Sequence, residues 1–321
     1  MTKCKLCQSN QADQLNSHIT SCFMVASMIG ERDLENGYII GTDSEDHTKN
    51  VGADPIKEDF IFCRGCESRL SYLEGYFAKE FTAKVDSITH VGNFEVFKSP
   101  CEYLLPSQVN AVAFHLLISS VIWRAHLSTK SLFKNFTIPS EASEHIRLTL
   151  DTVLPEYDNY RVKGKYKDWI KGLIAMKEEV SFYPYVLFRA DLESTDRTEN
   201  LIFFDDREKN PYHFIINEFI GMIYFDNVTI TDPVSFFRLK EKYDIDCLKM
   251  TSVDEIKVAR LELEDWRDIR DRLYHHILKY KSFRYIISEC VRIARSNGIF
   301  PSVKYMKHCI ECHESHKSIE M

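Results

Sequence analysis

Glycine and proline are scarce in this chain, at 11 and 9 of 321 residues. That scarcity excludes collagen-like and linker-rich architectures, and no internal repeat occurs. Long apolar runs are missing as well. The best uncharged run for a membrane span, Val109 to Trp123, holds fifteen residues and stops at Arg124. A membrane-spanning helix needs about 20 apolar residues, so this stretch reads as a buried core helix and no membrane association is expected. The N-terminus shows no basic start followed by an apolar stretch, since Cys4 and Cys7 sit among polar residues there, and a cytoplasmic protein is expected. A basic excess is absent too. The net charge of −7 argues against tight nonspecific binding of nucleic acid by the whole surface. No Gly-x-x-x-x-Gly-Lys-Ser/Thr loop and no Gly-x-Ser-x-Gly elbow occurs, which argues against a P-loop NTPase and an elbow-type serine hydrolase.

What remains has the composition of a folded protein: 44% hydrophobic and 28% charged residues, with 21 Phe and 16 Tyr to fill a sizeable core. The length suits two modest domains or one large one, at roughly 100–200 residues per domain. Residues 1–97 read as one unit. It begins with Cys4-Lys5-Leu6-Cys7, continues through a helical stretch around His18 to Ile29, and loops through a polar segment from Gly30 to Pro55. From Cys66 to Val85, Leu70, Leu73, Phe77 and Phe81 recur at helical spacing and predict an amphipathic helix.

Gly92 to Pro106 carries Gly and two prolines and reads as the link to a second unit, residues 98–321. Helices are expected over Ser107 to Leu127 and over Ser140 to Val153, with Ser140 as N-cap. Tyr183 to Leu192, Leu201 to Phe204, Tyr212 to Ile216 and Gly221 to Phe225 are β-branched and aromatic runs that predict a small, mostly antiparallel sheet. A short helix is expected within Pro233 to Tyr243. A long one follows from Asp265 to Ser296, closed by Asn297-Gly298, and Pro301 starts a final helix. The fold class is therefore α+β.

Ten cysteines, at 4, 7, 22, 63, 66, 101, 247, 290, 309 and 312, read as metal-binding or buried rather than disulfide-bonded in a reducing compartment. Cys4-x2-Cys7 and Cys63-x2-Cys66 are the strongest motif. Two residues between thiolates let both sulfurs reach one tetrahedral ion at about 2.3 Å, and two such pairs complete a closed Cys4 zinc site. A closed site has no position open to substrate, so this zinc should staple the fold. Closing the long excursion between the pairs is cheap, because loop entropy grows slowly with length.

Around the pairs stand Asn16-Ser17-His18-Ile19 and Lys57-Glu58-Asp59-Phe60-Ile61-Phe62-Cys63-Arg64-Gly65-Cys66-Glu67, leading on to Glu74. Over roughly the first 80 residues this resembles the HNH nuclease superfamily in its zinc-stapled treble-clef form, and in particular a divergent group of bacterial HNH-like proteins. The family pattern is a first Cys pair, Asp-His-Ile, then Asn-Leu-x-x-Leu-Cys-x-x-Cys-Asn, and a last His eight residues beyond the final Cys. The resemblance implies an N-terminal HNH-like module beside a larger α+β domain that recognises substrate or a partner. Its activity would be divalent-metal-dependent cleavage of DNA phosphodiesters, with a place in bacterial antiviral defence.

Carried across by position, His18 is the general base, Glu58 takes the place of the central Asn that orients the base, and Glu74 takes the place of the last His as a ligand for catalytic Mg or Mn. The chain departs from the family at Ser17, which replaces the Asp ligand, and at Thr20-Ser21, where a proline is usual. Residues 1–80 also hold eight Lys/Arg against thirteen Asp/Glu, the wrong sign for a phosphate backbone. The alternative is a noncatalytic zinc-binding module for nucleic-acid or protein binding within a complex. There His18 is a packing histidine and Glu74 a solvated helix position.

The last two helices carry a basic bias: Lys279, Lys281, Arg284, Arg292, Arg295, Lys304 and Lys307 against Glu289 alone between 279 and 307, with Tyr280, Phe283, Tyr285 and Tyr305 interleaved. Lys279, Lys281, Arg284, Arg292 and Arg295 form the candidate nucleic-acid face; the alternative is the solvated side of an amphipathic helix. A partner subunit or a second copy of the chain is a further expectation. Cys309, Cys312 and His313 have metal-like spacing, and a second zinc competes there with a frayed helix end.

Overall fold

The structure is a computed structural model that describes residues 2–21, 37–39, 49–51, 57–77, 94–106, 109–130, 132–133, 136–162, 168–190, 201–205, 211–217, 219–226, 239–279 and 291. The first strands are β1 (Ser17–His18), β2 (Gly37–Ile39), β3 (Lys49–Val51) and β4 (Lys57–Glu58); β1 pairs antiparallel with β4 and β2 with β3. Of the helical stretch expected to begin at His18, residues 22–29 lie outside the described residues, and His18 itself lies in β1. Long-range bonds hold it extended: Asn16 N donates to Asp59 Oδ1 at 2.7 Å and Phe60 N to the Gln14 carbonyl at 2.9 Å. The expected helix over Cys66 to Val85 is present as α1 (Arg64–Phe77), whose stripe of Cys66, Leu70, Leu73 and Phe77 is buried. Its continuation past residue 77 lies outside the described residues.

Gly92 to Pro106 is not a simple link. It contains β5 (Phe94–Phe97) and β6 (Tyr103–Pro106), an antiparallel hairpin, so the boundary drawn at 97/98 falls between two paired strands. Four helices follow: α2 (Ala111–Leu127), α3 (Ser140–Val153), α4 (Glu156–Val162) and α5 (Trp169–Ala175). The Asn110 side chain caps α2 by accepting from Ala113 N. An N-cap role for Ser140 does not hold. Ser140 is the first helical residue, and Pro139 ahead of it makes no side-chain cap. Helix α2 is apolar all round because it is buried all round, as a helix in the centre of a core must be.

The sheet is larger than the sequence suggested. Strands β7 (Tyr185–Ala190), β8 (Leu201–Phe204), β9 (Tyr212–Asn217) and β10 (Phe219–Ile223) fall on the expected runs, and β11 (Val258–Leu261) joins them with the hairpin. The order is β5-β6-β11-β7-β10-β9-β8, antiparallel throughout except for the parallel pair β11–β7. Side chains alternate between two cores, the outcome of strand pleating. Tyr185, Leu187, Phe214 and Ile216 face one core with α2, α3 and α5. Val186, Phe188, Ile215 and Met222 face the other, against α6 (Ile245–Leu248) and α7 (Leu263–Lys279), where Trp266, Ile269 and Leu273 are buried. At Gly221 a Cβ would run into the Phe214 ring, so the close cross-strand approach requires glycine.

The N-terminal unit shares the first of these cores. Phe62 packs on Trp123, Phe77 on Phe114, and Tyr72 stacks on Tyr157 with ring centroids 4.4 Å apart. Cys101, between β5 and β6, is disulfide-bonded to Cys247 in α6, which corrects the expectation of thiols throughout. Among the described residues, no helix is long and apolar enough to cross a membrane. Beyond Lys279 only Val291 is described, so the candidate cations Lys281, Arg284, Arg292 and Arg295, the final helix, and Cys309, Cys312 and His313 lie outside the described residues. So do the side chain of Lys279 and most of Pro233 to Tyr243, of which Leu239–Glu241 is a single 3-10 turn.

Candidate metal centre

Two short structures bring the cysteine pairs together. The first is a knuckle: Gln8 N donates to the Cys4 carbonyl at 3.0 Å and Cys4 N to the Asn10 carbonyl at 2.9 Å. Gln8 carries a positive φ of 55°, which lets the chain turn back so that its amides surround the sulfurs. The second is the start of α1. Cys63 precedes the helix, its carbonyl accepts from Glu67 N at 3.0 Å, and Cys66 lies in the first turn. A helix N-terminus favours negative charge, and thiolates are what a metal needs there. The two halves are bonded directly, since Lys5 N donates to the Ile61 carbonyl at 2.9 Å.

The outcome is a cluster in which the sulfurs of Cys4, Cys7, Cys63 and Cys66 all lie within 4.8 Å of one another. Cys7 Sγ and Cys63 Sγ are 3.9 Å apart. Tetrahedral Zn–S bonds of about 2.3 Å put sulfurs about 3.8 Å apart, so the spacing fits a four-coordinate ion. Cys4, Cys63 and Cys66 are buried. Among the described residues, this is the sole group of three or more His, Cys, Asp or Glu whose ligand atoms converge in this way.

The electrostatics show what such a cluster lacks without a cation. The Cys66 thiol, hydrogen-bonded to Cys4, brings Cys4 down to about 4, against the effect of burial and with help from the backbone amides of Cys63, Cys7 and Leu6. Cys66 is pushed up by that same bond and then by burial, and Cys63 is pushed up chiefly by burial. Cys7, although burial opposes it, is drawn down by hydrogen bonds from Ser9 and the Asn10 amide. The thiolates of the first pair are thus favoured and those of the second opposed, a conflict that a dication removes. Asn10 Nδ2 lies 3.7 Å from Cys63 Sγ, in position to donate to it. Two arginines stand near the sulfurs. Arg69, paired with Asp158, feels the charge of Cys66 and Cys63; Arg147, paired with Glu144, feels that of Cys7 and donates to the Leu6 carbonyl at 2.8 Å.

No protein-family model, curated protein or solved structure matches the chain. The residues themselves carry the rest.

The other sequence candidates are placed around β1 and β4, but they do not converge on one point. Ser17 pairs with Glu58 and His18 with Lys57, so pleating sends the His18 and Glu58 side chains to opposite faces of the ribbon. Glu58 is engaged elsewhere. Its carboxylate accepts from Ser128 Oγ at 2.8 Å, Thr129 N at 3.0 Å and Thr129 Oγ1 at 2.6 Å, which ties β4 to the C-terminal end of α2. Glu74 is buried, not solvated, and ion-paired with Arg124 at 2.6 Å. Arg124 Nη1 also donates to the His18 carbonyl at 2.8 Å.

Sequence reasoning missed Arg124; it names Glu67 only as a carboxylate that could supplement Glu74 at a magnesium ion. Arg124 closes an otherwise apolar helix, and a cation in such a setting must find an anion or an exit to water. That was the available signal. Glu67 Oε1 accepts weakly from His18 N at 3.4 Å, and burial pushes its carboxyl up while Arg124 and the Ser17 hydroxyl pull it down. The contact of Glu67 with β1 left no local signal, because it joins residues 49 positions apart in the chain.

Proposed function

We propose that Cys4, Cys7, Cys63 and Cys66 hold a structural zinc ion in a treble-clef arrangement, and that the stapled unit is a noncatalytic scaffold that binds a protein partner. Knuckle, two-stranded ribbon and helix follow one another in the order such a unit requires, and a closed four-thiolate shell leaves zinc no position for substrate.

The observation that carries the noncatalytic reading is Arg124. A catalytic divalent cation would need Glu74 free beside the His18 strand. Instead a buried guanidinium holds Glu74 and the His18 carbonyl together. A dication brought there would meet a fixed positive charge in a medium of low dielectric. A binding role is supported by Leu15 and Phe60, which are 51% and 52% exposed on neighbouring stretches joined by the Phe60 N to Gln14 carbonyl bond. The acidic balance of this part of the chain suits a protein partner better than a polyanion.

Glu67 favours the second reading, a divergent HNH-type endonuclease acting on DNA. It sets a carboxylate beside His18, where that chemistry would use a ligand for Mg or Mn, with His18 as base and the cations from Lys279 to Arg295 on the phosphates. Plasmid nicking with added Mg2+ or Mn2+ separates the two. The scaffold reading expects no cleavage by wild type above that of His18→Ala. Metal-dependent cleavage that disappears in His18→Ala would overturn it.

A further inference from the structure

Outside the four-thiolate cluster, two cysteines close on each other. Cys101 lies between β5 and β6 and Cys247 in α6, 146 positions apart in sequence with Cα atoms 6.3 Å apart. Both are half-buried, within reach of a small thiol or disulfide. Among the described residues the hairpin they tie is paired sparsely with the sheet, with Leu104 of β6 packed into the core. One registered pair, Leu104 with Val258, joins β6 to β11, where β11 and β7 share four. Beside it the Lys257 ammonium stands 6.0 Å from the Tyr103 ring and donates to the Cys247 carbonyl at 3.2 Å, and Tyr103 stacks on Phe97. Val96 and Phe97 of β5 stay exposed, so these two side chains add little apolar burial.

We propose that Cys101 and Cys247 are a thiol–disulfide exchange site that clamps the β5–β6 hairpin to the sheet when oxidised and releases it when reduced. The co-reactant is a low-molecular-weight disulfide, RSSR. The thiolate of one cysteine attacks RSSR, forming a mixed disulfide and expelling one RS−, which takes up a proton. The thiolate of the other then attacks the protein sulfur, forming the Cys101–Cys247 bond and expelling the second RS−. Two protein thiols lose two electrons and two protons, and RSSR becomes two RSH. Excess RSH runs the sequence backwards. Release of the hairpin opens the edge of β11, the strand next to central β7, and an open edge invites pairing. The site stands on its own geometry and needs neither functional reading.

The test uses the full-length zinc-loaded chain in oxidised and reduced glutathione buffers, read by peptide mapping without reductant, by zinc content, and by hydrogen exchange. The oxidised buffer should yield a peptide cross-linked through Cys101 and Cys247. The reduced buffer should remove it, leave zinc unchanged, and speed exchange in 94–106 and 258–261 at least tenfold. Cys247→Ser should show the fast pattern in both buffers. Should that variant fail to fold, the wild type in the two buffers still decides. No cross-linked peptide, equal exchange in both states, a folded Cys247→Ser that keeps the slow pattern, or zinc release in step with reduction would each overturn the proposal.

Discussion

Arg124 and Glu74 form an ion pair 2.6 Å long with both side chains at least nine-tenths buried, linking α2 to α1. The same guanidinium holds the β1 backbone at the His18 carbonyl. Removing one member leaves the other charged and unpaired in the core. Arg124→Met is therefore expected to lose about 3–5 kcal/mol in urea unfolding, and Arg124→Met with Glu74→Leu to recover much of it. Simple additivity of the two single changes would contradict a direct pairing.

The zinc assignment makes a compositional prediction. Freshly purified protein should carry about one zinc per chain by elemental analysis, and Cys63→Ser well under half of that. His18→Ala should keep its zinc, because His18 lies outside the shell. A Cys63→Ser protein with a full complement of zinc would rule out the four-thiolate site.

Glu58 is a structural tie between β4 and the end of α2, so its loss should appear in stability. Glu58→Ala is expected to cost about 1–2 kcal/mol, since three donors lose their acceptor at a site partly open to water. Glu58→Gln keeps an acceptor oxygen and should cost less. Thermal melts of the two variants at neutral pH give the comparison, and equal stability of Glu58→Ala and wild type would remove the tie.

His115 gives the fold an acid-sensitive element. Its Nδ1 lies 2.9 Å from Tyr185 Oη and its ring stacks on Phe182, and burial lowers its pKa from 6.5 to about 4. With the folded value depressed, the unfolded chain takes up the proton first as pH falls. The stability present above pH 6.5 is lost progressively between 6.5 and 4, by roughly 3 kcal/mol. His115→Gln should flatten that part of the stability–pH curve. An unchanged acid limb in the variant would assign the loss to other groups.

Legibility in the sequence divided along local and nonlocal lines. Helix α1 announced itself through periodicity, α2 through its apolar run, and strands β7 to β10 through aromatic and β-branched runs, because each buries a surface set by its own residues. The hairpin β5–β6 did not, since its glycine and prolines carry the local signal of a link and its pairing is visible only across the turn. Strand β11 is four residues long, and its place depends on β7, some seventy positions earlier. In the site, the Cys-x-x-Cys spacing was enough to name Cys4, Cys7, Cys63 and Cys66. The partners of Glu58 and Glu74 were not legible, because Ser128, Thr129 and Arg124 approach from a helix whose docking no local pattern specifies.

By itself the sequence determined the helical stripes, the apolar runs and two thiol pairs each pre-shaped for one ion, because those properties follow from neighbours within a few residues. Only the tertiary structure decided that the pairs meet, that strands and linker merge into one seven-stranded sheet, and that Arg124 rather than an added cation answers the charge of Glu74. The physical reason is that burial makes each lone charge and each unpaired strand edge costly, and the partner that relieves the cost is chosen by packing.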